Sequence, residues 1–265
     1  MLGSVPRLTR SQTVALCALP VAALLATAAA APLPFSVAQP GMTANVLGDN
    51  KGTPVITIQG APLRDTRGEL RMTTIEATAP DTTVRLGQIV DDWFRTDRAV
   101  MPRDAVYPAG DTTKEIEQHN TQEMKKSQDT ATTAALSFLG DDPSKVKVTL
   151  ELAQVGGPSA GLLFSLGIVD KLDGDGSGGD LTGGRTIAGT GTIDSGGNVG
   201  PVGGVALKTQ AAHRDGATVF LVPKAECSDA KADLPKGLRL IPVTDLKGAV
   251  NSLRALEKGG SVPSC

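Results

Sequence analysis

The sequence has few aromatic residues, few histidines and few cysteines, and each scarcity excludes something. Aromatic residues make up 3% of the 265 residues, so the core must rest on aliphatic side chains. The two histidines, His119 and His213, form no zinc-binding spacing with the cysteines, and we expect no metal and no other cofactor. The formal net charge is -2 and no Lys/Arg block occurs, so nucleic-acid binding has little electrostatic support.

One of the three cysteines lies far from the other two in the sequence. Cys17 lies in the N-terminal apolar run, whereas Cys227 and Cys265 lie near the C-terminus. In an oxidising compartment this even pair can form one disulfide. Two unpaired thiols are the alternative, and the sequence does not choose between them.

The N-terminus has the pattern of an export segment. Residues 1–12 carry Arg7 and Arg10, and residues 13–35 form an apolar run about long enough to span a bilayer. The positive-inside rule places the arginines in the cytoplasm and the rest of the chain outside. We expect a membrane anchor, while cleavage as a signal peptide, which would give a secreted protein, is the alternative.

Residues 36–265 mix strand and helix patterns without strict alternation and without an internal repeat, which predicts an α+β fold with mixed sheets and packed helices. A loop is predicted over residues 101–110, and a short turn over 140–145. The predicted strands cover residues 53–58, 71–77, 146–152, 186–194, 199–202, 218–222 and 238–243. The predicted helices cover residues 86–94, 111–139, 162–172, 206–214 and 246–256.

A glycine-rich turn contains the candidate nucleophile. The segment GGPSAG, residues 156–161, follows a predicted strand, and Ser159 precedes a predicted helix. Glycines allow a substrate backbone to approach closely, and free N–H groups at a helix start can stabilise an oxyanion. The alternative for this hexapeptide alone is a serine that only caps the helix.

A candidate base lies in the segment GGVALK, residues 203–208. Lys208 is surrounded in sequence by small and apolar residues, and burial of an amine lowers its pKa. A neutral lysine can take a proton from a serine without any histidine. Taken alone, a surface lysine is the alternative.

These segments together resemble the proteolytic domain of Lon proteases. GPSAG resembles the family's nucleophile motif at Ser159, VGPVGGVALK resembles the segment with the dyad lysine at Lys208, and GTGTID places the active-site threonine at Thr190. In the expected mechanism the N–H of Ser159, with that of Ala160 or Gly157, lines an oxyanion hole. The resemblance also implies that Gly203 and Gly204 bring the lysine helix close to the nucleophile turn.

The sequence is most similar to Lon-like peptidases that carry a membrane anchor and a PDZ domain. GGPSAGLLFSLGIVDKL, TPVITIQG and the cysteine pair resemble that branch, which is why we expect the anchor. A PDZ domain does not fit in the 140–145 turn, so residues 36–265 are expected to be a PDZ-less peptidase domain. No GxxxxGK[ST] loop occurs, so we expect no nucleotide. Gly156 stands where classical Lon proteases have an acidic residue, which is a departure from the family pattern.

The resemblance implies an ATP-independent serine endopeptidase (class EC 3.4.21) that acts on proteins or peptides outside the cytoplasm. Because Lon domains form six-membered rings, it also implies a homo-oligomer. A weakly active or inactive membrane-tethered scaffold is the alternative. Degradation of proteins and cleavage of one partner at one site would use the same dyad.

Overall fold

The computed structural model describes residues 9–107, 112–152 and 157–265. Arg7, Asp111 and Gly156, which enter the expectations above, lie outside these residues. The helices are α1 Arg10–Ala30, α2 Leu86–Trp93, α3 Arg103–Val106, α4 Thr113–Leu139, α5 Gly161–Leu172, α6 Val205–Arg214, α7 Cys227–Lys231 and α8 Leu246–Glu257. The strands are β1 Phe35–Asn45, β2 Asp49–Asn50, β3 Thr53–Pro54, β4 Ile56–Gln59, β5 Glu69–Ala77, β6 Ala99–Pro102, β7 Lys147–Leu150, β8 Thr186–Gly189, β9 Thr192–Ile193, β10 Val199–Gly200, β11 Val219–Pro223 and β12 Arg239–Val243.

A six-stranded sheet organises the domain, in the order β12-β11-β8-β5-β1-β6. The neighbours from β12 to β5 are parallel, whereas β5, β1 and β6 pair antiparallel. Three two-stranded sheets, β2-β3, β4-β7 and β9-β10, lie outside it. Parallel and antiparallel pairs in one sheet, with helices packed around it, confirm the predicted α+β class.

Alternate side chains of a strand point to opposite faces of the sheet, and at β11 both faces are covered by helices. On β11, Val219 and Leu221 belong to the large core with α4, α5 and α8. Phe220 and Val222 belong to a smaller core with α6 and α7. Every residue of β11 is therefore buried, as expected for a central parallel strand.

The long helix α4 begins and ends as its sequence predicts. Thr112 and Glu115 form a capping box at its start, and Gly140 ends it in the left-handed conformation with φ 74°. Its buried residues include Met124, Ala131 and Ala135, which lie in the large core beside α5. This side of α4 therefore faces the large core.

Three local predictions are wrong. The predicted strand over residues 53–58 is divided between β3, which pairs with β2, and β4, which pairs with β7. The predicted loop over residues 101–110 instead contains the end of β6 and the short helix α3, because Ala99–Pro102 pairs with β1. The predicted strand over residues 186–194 is interrupted: β8 ends at Gly189, and β9 joins a separate hairpin. The chain leaves the main sheet at Thr190 and Gly191, and this departure shapes the candidate site.

The strand β1 was not predicted at all, although it lies inside the sheet between β5 and β6. Its sequence contains Pro40 and Gly41, which usually argue against an interior strand. The pairing with β5 is irregular between Pro40 and Thr43, and β6 pairs only with Phe35–Ala38. The proline therefore lies beyond the part of β1 that has strands on both sides.

Candidate active site

The turn that carries Ser159 connects the end of β7 to the start of α5. Ser159 is half-buried, so its side chain is accessible, whereas Ala160 and the first turns of α5 are buried. Gly157 has φ +87°, which a residue with a side chain rarely adopts. The structure thus places a serine at the surface of an otherwise buried helix start.

Helix α4 holds this turn in place from one side. The Gly157 N–H donates to the Asn120 carbonyl oxygen at 3.1 Å. The Ser127 hydroxyl donates to the Pro158 carbonyl oxygen at 3.0 Å, and Ser127 is buried. Two hydrogen bonds, one donated by Gly157 and one accepted by Pro158, fix the backbone that precedes Ser159.

The N–H groups around Ser159 differ in their availability. The Gly157 N–H already donates to Asn120, so it is not free in this structure to bind an oxyanion. No acceptor for the N–H of Ser159 or Ala160 is found among the described residues. Of the three predicted oxyanion donors, the structure therefore leaves Ser159 and Ala160 available.

The segment after β8 holds the same turn from the other side. The Gly191 N–H donates to the Ser159 carbonyl oxygen at 2.9 Å, and the Leu162 N–H donates to the Gly191 carbonyl oxygen at 3.1 Å. The Thr190 hydroxyl also donates to the Ser159 carbonyl oxygen, at 3.2 Å. Thr190 is completely buried. The break between β8 and β9 thus binds the start of α5 to the end of a central strand.

Lys208 meets Thr190 at this point. Its Nζ donates to the Thr190 Oγ1 at 3.1 Å, and the lysine is only 3% exposed. Two successive hydrogen bonds therefore connect the lysine amine to the backbone of Ser159 through one threonine hydroxyl. Among the described residues, no hydrogen bond joins the lysine amine directly to the Ser159 hydroxyl.

The position of Lys208 follows from how α6 meets the sheet. Gly204 precedes the helix with φ +67°, and a Cβ there would lie 2.8 Å from the Ile75 side chain of β5. Because no larger residue fits, Gly204 lets α6 lie close to β5. The expectation that this glycine serves contact with the nucleophile turn is corrected: its close neighbour is the sheet.

Burial changes the acid–base properties of the lysine. Loss of solvation lowers the pKa of Lys208 from 10.5 to about 8, and the negative charge of Glu226 opposes that fall. A substantial neutral fraction is therefore present near pH 8. A neutral amine has a lone pair that can accept a proton.

Glu226 was not singled out from the sequence. It is buried, and its Oε2 accepts a hydrogen bond from the Val202 N–H at 2.9 Å, in the segment that leads into α6. Burial raises the pKa of its carboxyl group, and the charge of Lys208 acts against that rise. A buried acid three residues after Pro223 and two after Lys224 has no distinctive spacing, so only the fold reveals it.

The next residue, Cys227, is joined to Cys265 by a disulfide bond, with the two Cα atoms 5.4 Å apart. Cys17 is a free thiol on the exposed helix α1. The bond ties the start of α7 to the last residue of the chain. His119 and His213 are both exposed, on α4 and in the last turn of α6.

A pocket of about 220 Å³ opens beside the serine turn. One side of the pocket is lined by Pro158, Thr192 and Ile193. The other side is lined by α4, through Glu123, Lys126, Ser127 and Thr130. A larger pocket of about 440 Å³ lies against the 195–198 hairpin and α8, and neither Ser159 nor Lys208 lines it. The smaller pocket is the one adjacent to the candidate nucleophile.

Comparison with known proteins identifies the family. The profile of the Lon protease (S16) C-terminal proteolytic domain matches residues 110–253, which is more than half of the chain. The chain belongs to this Lon protease family. The matched segment includes Ser159, Thr190, Lys208 and Glu226, whereas α1, α2 and β1 precede it.

Two curated Lon proteases are similar to part of the chain. Lon protease 1 of Myxococcus xanthus is 38% identical over 106 residues, which cover 38% of this chain and 12% of the relative. Lon protease of Chloroflexus aggregans (strain MD-66 / DSM 9485) is 36% identical over 93 residues, which cover 34% of this chain and 10% of the relative. The matched segment thus spans about a tenth of the length of these Lon proteases.

Proposed function

We propose that this Lon-family chain is a serine endopeptidase in which Ser159 is the nucleophile and Lys208 is the general base. One observation carries the proposal. A buried lysine amine with a lowered pKa donates to the Thr190 hydroxyl, which in turn donates to the backbone of an accessible serine. Desolvated lysines beside a serine provide the activation that such a hydroxyl needs.

In the first half of the reaction, the neutral Lys208 amine takes the Ser159 proton while Oγ attacks the peptide carbonyl carbon. This step requires a Ser159 rotamer that brings Oγ to about 3 Å from Nζ when substrate is bound. The free N–H groups of Ser159 and Ala160 stabilise the oxyanion. Lys208 then returns the proton to the departing amine, which leaves an ester on Ser159.

In the second half, a water molecule attacks the ester while Lys208 accepts its proton. The Ser159 oxygen leaves with a proton from Lys208, and the free acid departs. Thr190 keeps the amine in place through both halves by accepting its hydrogen bond. These steps pass only through side chains of this domain, so we propose that its peptide-bond hydrolysis uses no ATP.

The pocket beside Pro158 supports peptide binding next to the nucleophile, because it is open and lies against the serine turn. We propose protein or peptide substrates, and a homo-oligomer as in related Lon domains. The connection over residues 140–146 is too short for a recruiting domain, so substrates reach this pocket without an inserted PDZ module.

We also propose that α1 anchors the domain on the outer side of a membrane. The helix is 21 residues long, its most apolar 18-residue window has a mean hydropathy of 2.1, and it contains no buried residue. A signal sequence has the same properties, so the anchor is the finer proposal. The disulfide of Cys227 is the type of bond that persists in oxidising compartments.

The test is cleavage of an unfolded, fluorescently labelled protein by the full chain, with and without ATP. Ser159→Ala and Lys208→Arg should abolish cleavage, because an arginine cannot act as a base near neutral pH. Ser144→Ala and Lys145→Ala, in the exposed turn after α4, are matched controls that should cleave at the original rate.

Wild-type rates in both dyad variants would contradict the proposal. Complete inactivity of the folded wild-type chain toward every unfolded substrate, with no labelling of Ser159 by acylating probes, would favour the scaffold alternative. A requirement for ATP would overturn the nucleotide-independent mechanism while leaving the dyad intact.

A further inference from the structure

The helix α2 exposes its apolar side and buries a polar residue. Leu86, Val90 and Trp93 follow the i, i+4, i+7 spacing of one helix face, and Phe94 comes directly after the helix. These four side chains, here called the α2 patch, are 40%, 50%, 72% and 84% exposed in chain order. The buried residue of α2 is Asp92. An ordinary surface helix has the opposite arrangement.

Four charged groups near the α2 patch form ion pairs, whereas Arg85 and Asp91, next to Leu86 and Val90 in sequence, are exposed. The buried Asp92 faces Arg98, with 3.8 Å between a carboxylate oxygen and Nε. Arg95 pairs with Asp97 through two hydrogen bonds of 2.9 Å. The four apolar side chains of the patch stay exposed beside these ion pairs.

The α2 patch lies next to the end of α1. Leu33, three residues after α1, forms a bridge with Val84, two residues before α2, and its N–H donates to the Val84 carbonyl oxygen at 2.9 Å. The helices α1 and α2 are also in contact. The patch and the end of α1 are therefore neighbours in the folded chain.

We propose that the α2 patch lies in the interfacial layer of the same bilayer that holds α1. This inference rests on the membrane placement of α1 proposed above. An apolar helix face that lies in the membrane plane enters the boundary between headgroups and acyl chains by about 5–10 Å. Tryptophan is enriched at that boundary because its ring is apolar and its N–H is polar.

The lipid surface, rather than a second copy of the chain, is the occupant that the structure favours. The patch is continuous with α1, whose 21 residues are all unburied. The two helices are also adjacent in space although residues 31–85 separate them in sequence. With α1 inserted and α2 on the surface, the domain would have two contacts with the membrane and a fixed orientation.

The chain provides its own probe, because Trp93 is the single tryptophan of the sequence. The full chain is reconstituted into phosphatidylcholine vesicles in which some lipids carry bromine, either near the top of the acyl chain or near its end. We expect bromine near the headgroups to quench Trp93 more strongly than bromine near the bilayer centre. We also expect the emission maximum of Trp93 in vesicles to lie at a shorter wavelength than that of the denatured chain in detergent-free solution.

The variant Leu86→Ser/Val90→Ser/Phe94→Ser keeps Trp93 and removes the rest of the patch. Quenching by the shallow bromines should fall several-fold in this variant. Leu63→Ser is the matched control, because Leu63 is 52% exposed but follows the strand β4, and its quenching should equal that of the wild type. Flotation of the vesicles is measured on the same samples.

The outcomes separate the two proposals. If the chain floats with the vesicles but neither bromine position quenches Trp93, the α2 inference is overturned and the anchor stands. Protection of Trp93 from aqueous iodide without quenching by lipid would show that another copy covers the patch, which also overturns it. If the chain does not float, the anchor and the inference fall together.

Discussion

The amine of Lys208 lies 3.1 Å from the Thr190 hydroxyl, and it donates a hydrogen bond there rather than to the candidate nucleophile. The threonine hydroxyl has a lone pair for the amine and a proton for the Ser159 carbonyl oxygen. One hydroxyl thus fixes both partners of the proposed reaction relative to the end of β8.

Removal of this hydroxyl should slow the reaction without preventing binding. Thr190→Val keeps the shape of the side chain but leaves Nζ without its acceptor, and a hydrogen bond of about 1.4 kcal/mol corresponds to a loss of about tenfold in kcat. KM should change little. Thr190→Ser retains the hydroxyl and should restore most of the rate. Equal rates for Thr190→Val and the wild type in steady-state peptide cleavage would contradict the role of Thr190.

Peptidase activity should rise with pH as Lys208 loses its proton. Its pKa is about 8, so the rate should increase from neutral pH to a plateau above that value. Glu226→Gln removes the negative charge that raises this pKa, while Val202 N–H can still donate to the amide oxygen. The acid limb of the kcat/KM profile should therefore move to lower pH.

The control for this shift is Glu117→Gln on the exposed side of α4, which should leave the profile unchanged. The negative charge of Asp229 raises the pKa of Glu226, so Asp229→Asn tests whether Asp229 affects the pKa of Lys208 through Glu226. A profile that stays fixed in Glu226→Gln, or moves to higher pH, would contradict the assignment of the limb to Lys208.

The buried lysine should reduce the stability of the folded chain. Its folded pKa of about 8 lies below the ordinary 10.5, so the unfolded chain binds the proton more tightly. Lys208→Met should therefore raise the free energy of unfolding by up to about 3 kcal/mol below pH 8, less the lost hydrogen bond to Thr190. The gain should fade between pH 8 and 10.5.

Denaturant unfolding at several pH values measures this effect. Lys231→Met, at an exposed position in α7, is the control and should show no pH-dependent gain. A stability difference between Lys208→Met and wild type that stays constant from neutral pH to above 10.5 would argue against a proton-linked origin.

Ser127 should matter for activity beyond its contribution to stability. Its hydroxyl donates to the Pro158 carbonyl oxygen in the serine turn. The Ser165 hydroxyl of α5 makes a bond of the same length, 3.0 Å, to the Ala131 carbonyl oxygen of α4, away from that turn. Ser127→Ala and Ser165→Ala should each cost about 1 kcal/mol of unfolding free energy. Only Ser127→Ala should lower kcat. A similar fall in both variants would indicate a general loss of packing.

Reduction of the Cys227–Cys265 bond should destabilise the domain. The cysteines are 38 positions apart, and closing such a loop typically contributes about 2–4 kcal/mol. Thermal unfolding with and without reductant measures the change, and Cys265→Ser should reproduce the reduced value. Alkylation of both thiols in non-reduced native protein, detected by mass spectrometry, would show that the bond is absent.

The sequence predicts most of the helices because their ends carry strong local determinants, such as the Thr112–Glu115 box and Gly140 of α4. It does not predict β1, since Pro40 and Gly41 are tolerated only through the irregular pairing with β5. The break after β8 is also invisible locally, because residues on both sides of Gly191 are equally typical of strands. Only packing of α5 against this segment reveals it.

The site shows the same division between local and tertiary information. Ser159, Lys208 and Thr190 could be proposed from motifs, and the structure brings Lys208 and Thr190 into contact. Neither the hydrogen bond from Gly157 to Asn120 nor the position of Glu226 could be read from the sequence, because each depends on where a distant helix packs. Local patterns identify reactive groups, whereas the fold decides which N–H groups they can use.

The connection between α1 and β1 consists of residues 31–34, and Leu33 within it is already bridged to Val84. A connection this short, held at Leu33, leaves the domain little freedom to move relative to α1. Whatever holds α1 therefore sets the tilt and the height of the whole sheet. The proposed site could then reach a peptide bond in another polypeptide only within a narrow range of distances from the place where α1 is held.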